Sequence, residues 1–450
     1  MTTGGSGVGS RIEDDGFEVT NRLADGQVLI VAGPEGEIDD LSDINGVEQA
    51  ARNASFTLEG PELEEELEES QFEPGFFSEN QWDKMVTSVP EAHSVATGAG
   101  TRIAILDTGI DPDHFDLAPN VNEDLSELFS SGNPIPGDDN PWDLHGHGTH
   151  VAGTAAATSG GGVVGTAPDA ELVSLKVFWF EDPEGHGDED EPFLTTTTAD
   201  ILAAIGAAGD IGADAANMSL GTPPLPPEYN QFGIRVAYER VIQHVTRQGT
   251  VVVASAGNSA ANLQQGGFFT TPNSTAGALS VSSTAPNDEL SYFSNFGTNE
   301  IDMGAPGGTY ETVLKTLFGI REWVFAGQPA LRSQHPLEEG DEGELWLDED
   351  GGVTFDPNEV DQVIEFESPA WPYPFNLVFN AYPGGSYAWL AGTSMAAPQV
   401  AGAVALYREA NPKSNARQVE QAIKSGADHV QGQNDPDLGA GRLNVADMLD

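Results

Sequence analysis

A chain of 450 residues exceeds the roughly 250–300 at which one hydrophobic core stops growing, and its 38% apolar content supports a large core with additions, so wholesale disorder is excluded. Its 72 Asp and Glu against 17 Lys and Arg leave a formal net charge of −55, which repels nucleic acid and anionic membrane surfaces. It has no cysteine, which removes disulfides, thiolate metal sites and a cysteine nucleophile together.

The first ten residues, MTTGGSGVGS, are Gly/Ser/Thr-rich and read as part of a disordered tail over 1–15. They lack the basic, apolar and small-residue regions of an export signal. From 16 to 66 the text reads as a small α+β unit: FEVTNRLADGQVLIVAG predicts two strands about a turn at Asp25-Gly26, and EIDDLSDINGVEQAARN a helix with a turn. The like charges of PELEEELEESQFEPG predict a solvated linker or short exposed helix, with the linker proper over 67–79.

Beyond 80 the pattern changes. TRIAILD, AELVSLKVF, AANMSL, GTVVVASAGN and ALSVSST are short apolar runs of the kind that form buried parallel strands. Helices are predicted between them at HGTHVAGTAAA, TADILAAIGAAG, FGIRVAYERVIQHVTRQG, SMAAPQVAGAVALYREANP and NARQVEQAIKSG. The expected class is α/β, a doubly wound and mostly parallel sheet with helices on both faces. Two stretches interrupt it, an acidic one at about 181–192 and a long one at about 308–388 that predicts a small β-rich subdomain beside the site. No run of about 18 apolar residues could span a bilayer. The acid is spread over nearly the whole sequence, as on a surface that holds water and cations in strong brine.

Functional groups of open α/β sheets collect beyond the carboxyl ends of the strands. Asp107 ends RIAILD, Ser219 ends AANMSL and Asn258 follows GTVVVASAG, so all three point to one edge. His147 and Ser394 join them from the first turns of two helices. Together Ser, His and Asp turn a weak nucleophile into a strong one, because the imidazole takes the hydroxyl proton while the carboxylate orients it. GGGVVG (160–165) contains a G-x-G-x-x-G string, but it follows a helix and is no nucleotide loop.

Five segments, LDTGID (106–111), HGTHVAGT (147–154), NMSLG (217–221), ASAGN (254–258) and GTSMAAP (392–398), resemble in order and spacing the signature segments of the subtilisin-like serine proteases, here of the halophilic archaeal type. The resemblance covers about 80–450 and implies a serine endopeptidase acting on proteins or peptides, monomeric, with no cofactor needed for the chemistry. It implies Asp107 as the triad carboxylate, His147 as the base, Ser394 as the nucleophile and Asn258 as the side-chain donor of the oxyanion hole. Ser219, Leu220, Gly221 and Ala254, Ser255, Ala256, Gly257 would wall an uncharged pocket for an apolar or aromatic side chain just before the cut bond. His145 and His150 are left as structural. A family calcium site is implied at Asp116, although the loop TSGGGVVG is shorter than the pattern and lacks its Asn. The 16–66 unit resembles the later part of an inhibitory propeptide whose first strand and helix are missing, with self-cleavage expected between about Leu67 and Asn80. The family implies an extracellular protein, the missing export signal a cytoplasmic one.

Overall fold

In the computed structural model the apolar runs pair into one eight-stranded sheet. The structure describes residues 1–449 except 5–6, 35, 58–64, 69–80, 136–140, 159, 161, 182–192, 228–232, 266, 310–341, 348–361, 368–376 and 431–435. The strands, with those of the smaller sheets numbered in the same series, are β7 (Arg102–Ile105), β8 (Glu127–Ser130), β9 (Asn133–Ile135), β10 (Glu171–Lys176), β13 (Ala215–Met218), β14 (Val251–Ser255), β15 (Ala278–Thr284) and β16 (Met303–Pro306). They lie in the order β16-β15-β14-β13-β7-β10-β8-β9, all parallel except the closing β8/β9 pair.

Alternate residues of each strand feed two cores, because side chains of a strand point to opposite faces. Ile103, Ile105, Val251 and Val253 face helices α5 (His147–Ala156) and α8 (Thr393–Ala410), while Ala104, Leu106, Val252 and Ala254 face α6 (Thr198–Asp210) and α7 (Ile234–Gln248). Both faces are therefore dry, as the continuous apolar runs require. Helix α9 (Ala416–Ser425) starts on a capping box in which Asn415 and Gln418 satisfy each other's backbone N–H groups.

The chain start differs from expectation. Thr2–Thr3 forms β1 and Val8–Asp14 forms α1, so a strand and a helix stand where a disordered tail was expected. Val8 and Ile12 lie four apart on one helix face and bury against Phe17, Leu29 and Ile44, a stripe that the surrounding Gly and Ser obscured. With β2 (Glu18–Leu23), β3 (Val28–Ala32), α2 (Ile38–Asp43) and β4 (Val47–Gln49) it builds a sheet of order β2-β3-β1-β4. Leu23, Ala24 and Val28 join the core of α6 and α7, which seats the unit on those helices.

Two further strands leave it: β5 (Ser55–Thr57) pairs antiparallel with β12 (Phe193–Thr197), which pairs with β11 (Trp179–Glu181). Glu65–Glu68, expected as solvated linker or helix, is strand β6 on β20 (Ser386–Leu390), which pairs with β19 (Val378–Tyr382). The rest of the linker and the 182–192 insert lie outside the described residues. Within the long interruption, β17 (Glu342–Leu347) and β18 (Gln362–Glu367) form a hairpin. Its final part is no decoration: Val378, Phe379, Tyr387 and Trp389 are buried against α5 and α8, so the β19–β20 hairpin is core.

Candidate functional site

The two helices that carry chemistry begin at the same sheet edge and pack on each other. Asp107 stands just past β7 and His147 opens α5, where Nδ1 of the imidazole donates to Asp107 Oδ1 at 2.7 Å. The same oxygen accepts the Thr108 N–H at 2.7 Å. Both side chains are buried. Gly148 permits this approach, since a Cβ there would collide with the Gly109 carbonyl. The imidazole's Nε2 has no hydrogen-bond partner among the described residues.

Ser394 is the second residue of α8, and its backbone is tied to β13. Ser219 Oγ donates to the Ser394 carbonyl at 2.7 Å and accepts from Asn217 Nδ2 at 3.0 Å. The Ser394 hydroxyl leans toward the Ser219 carbonyl at 3.4 Å, a long contact that leaves it free to turn. Hydrogen bonds to a nucleophile are often loose before substrate arrives.

Asn258 follows β14. Its Oδ1 accepts from the Thr393 N–H at 2.9 Å and the Thr393 hydroxyl at 2.7 Å, which fixes the amide and turns Nδ2 away. A methyl group built on Gly392 would lie 3.4 Å from Asn258 Nδ2 and 3.5 Å from Ser394 N, so two N–H donors border one small space. That is the arrangement needed to hold a developing oxyanion.

The pocket residues divide. Leu220, Ala254 and Ala256 are buried, and Ala254 belongs to the α6–α7 core rather than to an open wall. Ser219 and Ser255 are also buried, whereas Gly221 is exposed and Gly257 half-buried. Asp116 is buried, with Oδ2 accepting from Tyr387 OH at 2.8 Å.

Electrostatics separates the three histidines of the motif. Burial lowers the pKa of His147, but the Asp107 charge and hydrogen bond, with Asp143 behind them, outweigh it and hold it above its ordinary value. Burial pushes His150 down to about 3, so the ring is neutral, with Nε2 donating to the Val378 and Ala388 carbonyls at 3.1 Å each. Burial and the charge of His147 lower His145, whose carbonyl accepts from Tyr382 OH at 2.8 Å. Sequence reasoning passed over Asp143, four residues before His147; its Oδ1 accepts the Gly146 N–H at 2.9 Å at the start of α5. An acidic residue just ahead of a helix that opens on Gly and His was the available signal.

A buried Asp–His pair and a serine at a helix start, with Asn258 Nδ2 and Ser394 N bordering one small space, on a doubly wound parallel sheet are what a serine hydrolase of the subtilisin-like type requires. The chain belongs to the subtilase family of serine endopeptidases, whose family model matches residues 98–441. It is 28% identical over 348 residues to Subtilisin Savinase of Lederbergia lenta, covering 77% of this chain and 90% of that one. Identity to Thermitase of Thermoactinomyces vulgaris is 29% over 362 residues, covering 79% and 91%. Against the alkaline protease of Alkalihalobacillus alcalophilus it is 28%, and the matched region spans 77% of this chain but only 64% of that protein. Among solved structures, the epidermin leader peptide processing serine protease of Staphylococcus aureus has a TM-score of 0.68 at 20% identity, covering 100% of this chain and 96% of that one. A lanthipeptide protease gives 0.59 at 22%, covering 86% and 98%. These two likenesses concern the fold. Subtilases need no cofactor for their chemistry.

Proposed function

We propose that the chain is an endopeptidase that cuts extended protein segments through an acyl-enzyme on Ser394, with Asp107 and His147 completing the triad. What carries the reading is the imidazole held through Nδ1 by Asp107 with Nε2 unpartnered among the described residues, on a helix packed against the one that presents Ser394. In the first step His147 Nε2 takes the Ser394 hydroxyl proton as Oγ bonds to the scissile carbonyl carbon. The carbonyl oxygen becomes an oxyanion between Asn258 Nδ2 and Ser394 N–H. Collapse breaks the C–N bond, and the imidazolium returns its proton to the leaving amine. Water, deprotonated by the same nitrogen, then releases the acid and restores Ser394.

The first substrate in this reading is the chain's own N-terminal unit, acting as propeptide. Its support is β5: Ser55–Thr57 lies antiparallel along β12, whose hairpin partner β11 follows β10 out of the strand end where the Val177 N–H meets the Asp107 carbonyl at 2.9 Å. Addition of an extended segment to an exposed strand is a general way to grip peptide. Leu58 is the first apolar residue beyond β5 and suits an uncharged pocket, so the cut falls after Leu58 rather than at 67–80. Mass spectrometry of wild type and Ser394→Ala tests this. Wild type should yield a chain starting at Glu59 while Ser394→Ala stays full length. A start within 68–80 would overturn the register, and equal processing of both would overturn the nucleophile.

A structural calcium at Asp116 has less support. Tyr387 OH engages one carboxylate oxygen, and no group of three acidic or imidazole side chains gathers among the described residues. Calcium takes six to eight oxygens, so Asp116 would need loop carbonyls beside it, and residues 159 and 161 of that loop lie outside the described residues. Adaptation to high salt rests on the charge of −55 and belongs to the same proposal.

A further inference from the structure

One carboxylate beside the site receives more hydrogen bonds than any triad residue and belongs to no motif. Asp143 is 6% exposed. Its Oδ1 accepts from Thr108 Oγ1, His145 N and Gly146 N at 2.9 Å each. Its Oδ2 accepts from Thr149 N at 2.9 Å and Thr149 Oγ1 at 2.7 Å. The chain of contacts closes on the triad, because Thr108 Oγ1 accepts the Gly148 N–H at 2.9 Å and Thr108 N donates to Asp107 Oδ1.

Two elements that share no covalent turn, the segment after β7 and the first turn of α5, are thus fastened through one carboxylate. Among the described residues the imidazole that spans them has one side-chain bond of its own, to Asp107. We propose that Asp143 is a positioning residue: it locks the first turn of α5 to the Asp107–Thr108 turn, so that His147 meets Asp107 on one side and leaves Nε2 aimed at the nucleophile. This rests on the reading of His147 as the base.

A plain helix cap would explain the N–H contacts at Gly146 and Thr149 but not the Thr108 hydroxyl, which reaches across to another strand end. Nor would it distinguish charge from shape, and here the charge has an addressee. The titratable groups facing His147 are Asp107 from the β7 end, Asp143 and His145 from its own loop, and His150 one turn along α5. Burial lowers both histidines, His150 to about 3, and so favours their neutral forms, while the two carboxylates raise His147. Lys176 from β10 donates to the Trp142 carbonyl at 2.7 Å and interacts with the Asp143 charge.

Asp143→Asn keeps the shape but removes the charge, and its NH2 must confront backbone N–H donors that cannot reverse. With a small peptide amide as substrate, kcat should fall about a hundredfold with KM little changed, the size expected of a slight misplacement of reacting groups. The acidic limb of the kcat/KM profile should move to lower pH, because the imidazolium loses a stabilising charge and the neutral base persists further into acid. Thr108→Val, which keeps the carboxylate, should lower kcat and leave the limb nearer its place, and Thr108→Ser should restore kcat. Ser394→Ala is run alongside: activity surviving in it would refute the functional reading and not Asp143 alone. With Ser394-dependent activity in hand, an unmoved acidic limb in Asp143→Asn, or equal kcat for Thr108→Val and Thr108→Ser, overturns the proposal. Should Asp143→Asn fail to fold, the two Thr108 variants decide it.

Discussion

The catalytic body is an α/β construction on a mostly parallel sheet and the N-terminal unit an α+β one on an antiparallel sheet, and they hold together by different means. In the body, β7, β13 and β14 are buried on both faces, and even a cation is internal: Lys84, in the short helix α3 (Trp82–Val86), donates to the Thr154 carbonyl at 2.9 Å, to Gln399 Oε1 at 2.7 Å and to Asp83 Oδ2 at 3.1 Å. The unit before β5 has a private core of only Val8, Ile12, Phe17, Leu29 and Ile44, and it lends Leu23, Ala24 and Val28 to the body. So small a core gives marginal stability in isolation. If the proposed cut is made, the difference leads us to expect that the body stands alone after it, while the unit keeps its shape by staying docked.

The widest test of that division is Ser394→Ala. The substitution removes one hydroxyl whose contact is a long one, so the body should keep its thermal unfolding point while turnover of a protein substrate falls about a millionfold, the size measured in subtilisin itself. Residual activity above a few per cent would detach the chemistry from Ser394.

Next in size is Lys84→Met. Removing one partner from a buried ion pair leaves an uncompensated charge, and the loss should be about 3–5 kcal/mol. Asp83 Oδ1 lacks a partner among the described residues, so the remaining carboxylate would keep the Gln399 Nε2 bond to Oδ2 at 2.6 Å but no opposite charge. Denaturant unfolding should show the body weakened, and Asp83→Asn placed on top should return part of the loss, since it removes the stranded charge. A loss below about 1 kcal/mol in Lys84→Met would mean that water reaches the pair and that the body is less dry than described.

The same division explains what could be read in advance. Asp107, His147, Ser394 and Asn258 could be singled out as candidates because each sits in a local string whose strand or helix context is written beside it, and the structure places them after β7, at the start of α5, at the start of α8 and after β14. The five longer helices α5 to α9 were legible from apolar spacing and stops such as Gly249, which ends α7 at φ 124°. Asp143 was not, because its meaning lies in Thr108, thirty-five residues away, and hydrogen bonds at that distance leave no periodic trace. Strand β1 is two residues long and gains its identity only from partners on β3 and β4. Glu65–Glu68 reads as solvated by charge alone, yet backbone pairing to β20 ignores side-chain polarity. The β19–β20 hairpin was counted with the interruption because its apolar text adjoins it without a break.

The smallest expected effect lies at the joint between the two regions. Arg240 of α7 donates through Nη1 to the Thr3 carbonyl at 3.0 Å and the Gln27 carbonyl at 3.1 Å, and pairs through Nη2 with Glu48. Glu48 is about half exposed, so the ion pair adds little and the two backbone bonds carry most of the contribution. Arg240→Ala should therefore weaken docking by about 1–2 kcal/mol, roughly tenfold in retention of the cut unit. Like charge also meets across the joint: residues 1–57 hold eleven acidic and three basic side chains in a chain of net −55. Lowering salt from about 1 M to 0.1 M lengthens the screening distance from about 3 Å to about 10 Å, which should loosen docking in wild type as well. Both shifts can be read from small-substrate activity on dilution of the self-cut enzyme, at salt concentrations where circular dichroism shows the body folded. Unchanged retention in Arg240→Ala would place the hold elsewhere, at the buried Leu23 and Val28. Tighter retention at low salt would mean that specific pairs such as Arg240 with Glu48 outweigh the general repulsion, and the charge argument would fall.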